Sequence, residues 1–391
     1  MKIKISERGS RVELSPVEEA TKIAIKHGVI NLASGSPDPR VVPVNELKSI
    51  AVKVLDERGF NALTYPNAGG QNELKIEIKK YMSDFSIRIR DDEDVVITSG
   101  AQHAFRLIAD LLVEKNDVVI VENPTFYETL APFRFHGASV IGVSLDDEGL
   151  DIDELRNFLS SNKINCGILY VIPTCHNPTG ITMSIERRKE LMEVISQYDL
   201  LVIEDDPYRP IAADAPPPLK KFDDEGRVLY VGSFSKVLAP GLRIGWIYGS
   251  KSILDRLMLL EQLDFAVSTL TQYIVVEALR SGLISKLIPK LTNHYKSKMR
   301  IMYESLENYM PSNVSWTNSA NGFFLLVKVI GVDMEGLLPK AIDRGVVYVP
   351  ARRFFINGRH SDTARLSISL SNEEDIKKGI KVLSSLIKDV H

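Results

Sequence analysis

A chain of 391 residues exceeds the length at which one hydrophobic core stops growing, so two domains, or one large domain with a smaller one appended, are expected. With 44% hydrophobic and 25% charged residues, the composition is that of an ordinary globular protein and excludes a disordered or fibrous chain. A formal charge of -3, with both signs spread along the sequence, supplies no basic stripe of the kind nucleic acid requires.

The N-terminal stretch MKIKISERGSRVEL has no apolar core of signal-peptide length, and no later window is long and apolar enough for a bilayer. A cytoplasmic protein without a membrane partner is expected. Residues 16 to 27 can form a short helix, but residues 1 to 44 hold too little to fold alone; this arm is expected to join the C-terminal unit. From about residue 95 to 250, β-branched runs alternate with segments of helical period. DVVIT, VVIVEN, SVIGV, GILYVIP, LLVIED, VLYVGS and RIGWIYG are the strand candidates of an α/β sheet covered by helices.

Between the first two runs, Ala104, Leu107, Ile108, Leu111 and Leu112 make one apolar stripe, which predicts a helix over 101–114. Asp151 with Glu154 has capping-box spacing, and Ser184 with Glu186 places an N-cap and an acidic first turn before another helix. Cys166 and Cys175 lack metal or redox spacing and are expected to pack in a reducing compartment. Beyond Gly249 come long helical stretches, through roughly Leu287 and again to Met310, and then the strand-like GFFLLVKV, VVYVP and ARLSISL. A large domain over 45–285 and a small α+β domain over 286–391 are expected.

Chemistry concentrates at the strand ends. In SFSKVLAPGLRIG, Lys236 stands among Ser233, Ser235 and Arg243: an amine able to form an imine, beside hydroxyls and a guanidinium suited to a phosphate monoester. Lysine plus phosphate ligands points to pyridoxal phosphate (PLP), although by itself the motif also fits an exposed loop with a solvated Lys-Arg pair. In TSGAQ, Gly100 precedes a helix whose first amides, on Ala101 and Gln102, make an anion site; a plain turn is the alternative. Asn177, in NPTG, ends a strand where ligands of α/β sheets bind, or merely makes an Asn-Pro turn. Asp205 ends another strand, with Tyr208 three residues on; a carboxylate there can keep a pyridine nitrogen protonated. A solvated strand end is its alternative, while a metal site is disfavoured because neighbouring strand residues point to opposite faces and no histidine stands near.

Taken together these residues resemble the class I/II aminotransferases, PLP enzymes of fold type I. The landmarks occur in the family's order: Gly35-x-Pro37, Tyr65 with Gly70, Ser99-Gly100, Pro124-x-Phe126, Asn177-Pro-x-Gly180, Asp205-x-x-Tyr208, Ser233-x-Ser235-Lys236 with Arg243, and Arg365. The resemblance covers nearly the whole chain and is nearest the subgroup of 2-aminoadipate and aromatic amino acid aminotransferases. It implies a large domain with a mostly parallel seven-stranded sheet and a smaller domain built from both chain ends.

The resemblance also assigns roles. Lys236 would carry the cofactor as a Schiff base, Asp205 pair with the pyridine nitrogen, Asn177 and Tyr208 hold the ring hydroxyl, and Phe126 stack on the ring. Ala101 and Gln102 amides, Ser233, Ser235 and Arg243 would take the phosphate, with Tyr65 reaching in from a second subunit of a homodimer. Arg365 would clamp the substrate carboxylate beside Gly35 and Asn177. Two departures stand out: Ala101 where relatives often have Ser or Thr, and Ala351 where many have Gly. The implied reaction moves an amino group from an L-amino acid to a 2-oxo acid, by family habit 2-oxoglutarate, in two half-reactions. Arg11, Arg352 and Arg353 are candidates to meet an acidic side chain. A carbon-sulfur lyase or decarboxylating synthase of the same fold would use the same lysine and aspartate. A non-catalytic sensor domain ranks lower, since only about 30 residues precede SGSPDP, fewer than a DNA-binding module needs.

Overall fold

A computed structural model describes residues 3–162, 167–212, 214–264 and 267–390. The expected strands all form and belong to one sheet: β1 (Glu93–Thr98), β2 (Val118–Asn123), β3 (Ser139–Asp146), β5 (Ile168–Val171), β6 (Leu201–Asp205), β7 (Val228–Ser233) and β8 (Gly245–Ser250). An eighth, β4 (Gly149–Leu150), adds a two-residue edge that is too short to stand out in the sequence. The spatial order is β1-β8-β7-β6-β5-β2-β3-β4. Strands β3, β2, β5, β6 and β7 are parallel, whereas β8 runs against both neighbours.

The central strands are buried on both faces, and so their sequences are almost continuously apolar. Alternation then sorts them: Val121, Tyr170 and Ile203 pack with Leu107 and Ile108 on one face, while Ile120, Leu169 and Val202 pack with Leu155, Leu191 and Val194 on the other. Because β8 is antiparallel, its first residue, Gly245, lies opposite both Thr98 of β1 and Ser233 of β7. This register brings two functional loops to one place.

Four antiparallel strands, β9 (Val314–Trp316), β10 (Phe324–Val329), β11 (Val349–Pro350) and β12 (Thr363–Ser367), form a second sheet in the order β9-β10-β12-β11. Near the other end of the chain, helix α1 (Pro16–His27) leads into Ile30–Asn31, which pairs in parallel with Val346–Val347.

The remaining helical expectations hold with adjustments. The helix beginning at residue 101, α2, runs Ala101–Leu112, two residues short of the expected end, and Val113 caps it by donating to the Ala109 carbonyl. Asp151 caps its helix through the Glu154 amide at 2.9 Å, but Glu154 turns to the Ser144 amide instead of closing the box. Ser184 caps Ile185–Tyr198. The expected break near Leu287 falls instead at Gly282, and one helix spans Leu283–Tyr309 with Pro289 inside it. Cys175 is buried in the core; Cys166 lies outside the described residues. Among the described residues no helix is long and apolar enough to cross a membrane.

Candidate active site

The carboxyl ends of the parallel strands open on a cavity of about 200 Å³. Asp205, the last residue of β6, is 4% exposed. Its Oδ2 accepts a 2.7 Å hydrogen bond from the Tyr170 hydroxyl, whereas Oδ1 is buried and has no partner among the described residues. Burial pushes the carboxyl up to about 7, against the Tyr170 bond. Across the cavity, Lys236 extends from the loop after β7. Its Nζ donates to the Gly35 carbonyl at 2.8 Å and lies over the rings of Tyr208 and Phe323. Burial, reinforced by the positive charges of Arg365 and Arg243 and opposed by Asp205, lowers the amine to about 8.

At the start of α2 the first amides have no acceptor within the helix, and the helix dipole favours an anion there. Arg243 arrives over Gly100 and donates to the Ser99 carbonyl at 2.8 Å. A Cβ on Gly100 would lie 2.4 Å from the Arg243 Nη2, and the residue's φ of +77° excludes ordinary side chains. Ser233 and Ser235 complete the cradle, their hydroxyls 3.0 Å apart.

Arg365, on β12, is 1% exposed and lies between the rings of Phe324 and Phe354. It donates to Asn177 Oδ1 at 2.9 Å and to the Ala33 carbonyl at 2.5 Å, leaving Nε without a partner among the described residues. Burial lowers it to about 10, so the guanidinium stays charged at neutral pH. With its oxygen engaged, Asn177 keeps an amide N–H₂ to donate. The turn after it requires Gly180, where a Cβ would come within 2.2 Å of the Phe324 carbonyl.

Of the residues singled out in the sequence, Ala101, Gln102, Phe126, Asn177, Asp205, Tyr208, Ser233, Ser235, Lys236 and Arg243 line the cavity. Gly35, Gly100 and Arg365 adjoin it through the contacts above. Tyr65 does not join them within the chain: it is 85% exposed, in a separate groove with Phe60 and Leu63. Arg11 bonds Glu7 and the Phe135 carbonyl, and Arg352 bonds the Gly358 carbonyl and Glu335. Arg353 is held by Glu13 and by the hydroxyl of Tyr127, the residue after Phe126. Sequence reading missed Tyr170 and Glu128. Glu128 follows the cavity wall in helix α3 (Tyr127–His136), accepts a bond from Ser15, and is raised in pKa by burial. A tyrosine inside an apolar strand and a glutamate in a first helical turn carry no local mark of function.

The family model for aminotransferase class I and II matches residues 27–383. The chain belongs to the class I and II aminotransferases. It is 36% identical to aromatic-amino-acid aminotransferase 1 of Thermococcus litoralis, covering 98% of this chain and 94% of that one. It is 31% identical to the 2-aminoadipate transaminase of Thermus thermophilus, over 97% and 95%. The crystal structure of a Pyrococcus horikoshii kynurenine aminotransferase superposes with a TM-score of 0.94 at 34% identity, covering 99% of this chain and 97% of that one.

This aminotransferase is therefore a PLP-dependent transaminase of fold type I, acting on amino and 2-oxo acids. Its cavity fits the cofactor on independent grounds: the lone buried Oδ1 of Asp205 suits a protonated ring nitrogen, the α2 terminus with Arg243 and the serines suits a phosphate, and a partly neutral lysine suits an aldehyde.

Proposed function

We propose that this cavity is the transamination site, with Lys236 as covalent anchor and proton carrier, Asp205 as partner of the cofactor's ring nitrogen, and Arg365 as receptor of the substrate α-carboxylate. The observation that carries this reading is the pairing across one cavity of an amine lowered to about 8 with a buried, half-partnered carboxyl. When bound, the cofactor supplies an aldehyde that receives the amino group and a ring that accepts the electron pair left at Cα. The chain's own residues do the rest. The Lys236 amine would hold the cofactor aldehyde and, when free, would take the proton from the substrate Cα. Asp205 keeps a proton on the ring nitrogen, and Asn177 and Tyr208 donate to the ring hydroxyl. Phe126 covers the ring face. The α2 amides, Ser233, Ser235 and Arg243 hold the phosphate, and Arg365 with Asn177 and the Gly35 backbone fixes the carboxylate so that the Cα–H bond is presented to Lys236.

We further read the chain as a homodimer in which Tyr65 completes the phosphate site of the second subunit. Phe60, Leu63 and Tyr65, which are 79%, 63% and 85% exposed, share one groove with residues 267–270, and an apolar patch of this kind marks an association surface. The division into an arm (1–44), a large domain (45–285) and a small domain (286–391) belongs to the same reading. Aromatic amino acids, 2-aminoadipate and kynurenine are the proposed donors, after the relatives' names, with 2-oxoglutarate as acceptor.

The test is to load the protein with PLP, add each amino acid in turn, and record which convert the visible absorption to the pyridoxamine form, while measuring oxo acid, ammonia and carbon dioxide. Oxo acid alone, from an aromatic or acidic donor, is expected. Ammonia or carbon dioxide in stoichiometric yield would overturn the transamination reading. Lys236→Ala is expected to bind PLP and lose turnover by at least about a thousandfold; wild-type turnover would sink the lysine's assignment.

A further inference from the structure

One fully buried phenol in the site has no part in the scheme above. Tyr170, on β5, is not exposed at all, and its hydroxyl lies 2.7 Å from Asp205 Oδ2 and 3.1 Å from Thr129 Oγ1 of α3. A phenol has one proton to give: with that proton on the carboxylate, the oxygen accepts from the threonine. The edge-on Phe105 ring, 5.6 Å away between centroids, holds the tyrosine ring in place. Three elements, α3, β5 and β6, thus converge on one oxygen of Asp205, a residue that lines the cavity, while the other oxygen, Oδ1, is buried without a partner among the described residues. The terminal torsion of an aspartate is broad, so a carboxylate without such an anchor has no fixed direction.

We propose that Tyr170 is a positioning residue for the cofactor and acts through Asp205, pinning Oδ2 so that Oδ1 faces the pyridine nitrogen. The proposal rests on the reading of Asp205 as the ring-nitrogen partner. The same bond has an electrostatic consequence. Asp205 is faced by Lys236 from the loop after β7, by Asp206 next in its own chain, and by Glu122 on β2. Burial and the two acids push it toward the neutral form, while the Tyr170 hydroxyl and Lys236 oppose them. Removing the hydroxyl therefore both frees the carboxyl and leaves it protonated over a wider pH range.

The experiment is a double-mutant cycle of Tyr170→Phe and Asp205→Asn. It reads the equilibrium dissociation constant of PLP from the cofactor-free protein between pH 5 and 9, and the single-turnover rate with a productive amino acid. Tyr170→Phe in the wild-type background is expected to weaken PLP binding and slow the half-reaction about tenfold each, the scale of one hydrogen bond to a charged group, with amino-acid KM within about twofold. In the Asp205→Asn background it is expected to change neither by more than about twofold. Equal losses in both backgrounds would mean that Tyr170 only packs, and no loss in the wild-type background would overturn the proposal outright. Tyr170→His, which keeps a donor, is expected to restore binding to within about threefold; a folded histidine variant no better than phenylalanine counts against the proposal even if Tyr170→Phe does not fold. Asp205→Asn with wild-type constants would instead remove the underlying reading of Asp205.

Discussion

Burial drives Lys236 and Asp205 in opposite directions, the amine down to about 8 and the carboxyl up to about 7, because in each case it penalises the charged form. For Asp205 the folded value lies above the unfolded one, so its contribution to stability is full below about pH 4 and is lost as the pH rises through about 7. Lys236 has its folded value lowered, and its contribution changes only between about pH 8 and its unfolded value, outside that window. Cofactor-free Asp205→Asn is thus expected to match wild type at pH 4 and to exceed it by on the order of 4 kcal/mol at pH 8, the free-energy equivalent of that shift. Urea unfolding at the two pH values checks this, and equal midpoints at pH 8 would contradict it. At this scale the sequence was informative about residue types: a lysine among serines and an aspartate at a strand end were both legible. Their altered proton affinities were not, because desolvation depends on what the rest of the chain places around them.

Strand ends and the turns after them set the geometry of the site. Gly245, at the start of β8, sits against the α2 terminus, and a Cβ there would lie 2.7 Å from the Gly100 carbonyl carbon and 2.8 Å from the Ala101 nitrogen. Backbone cannot yield as a flexible side chain does, so Gly245→Ala is expected to displace the anion site and raise the PLP dissociation constant at least about tenfold. Equilibrium dialysis measures it, and an unchanged constant would mean that the cradle tolerates the shift. The sequence predicted the elements themselves well, since periodicity and caps are local. It misplaced the break at Gly282, overlooked two-residue β4, and closed a capping box that Glu154 leaves half open by turning to Ser144. The break falls at a glycine in the left-handed conformation, Glu154 finds its partner ten residues upstream, and a two-residue strand is too short to have a period.

At the scale of the molecule, the groove at Phe60 and Leu63 is the proposed subunit contact, and replacing both by Asp is expected to give a monomer with weakened cofactor binding, measured by sedimentation and PLP titration. A variant that stays dimeric, or a wild type that sediments as a monomer, would overturn that reading. By itself the sequence determined the family, the α/β class and the reacting residue types, because these are written as ordered motifs at strand ends and as local periodicity. Only the tertiary structure decided that Arg365 meets Asn177 and the Ala33 carbonyl, that Lys236 rests on the Gly35 carbonyl, and that Tyr170 holds one oxygen of Asp205 while the other has no partner among the described residues. Those contacts join segments up to 332 residues apart, and no local pattern encodes which buried donor meets which acceptor until the sheet has set the register.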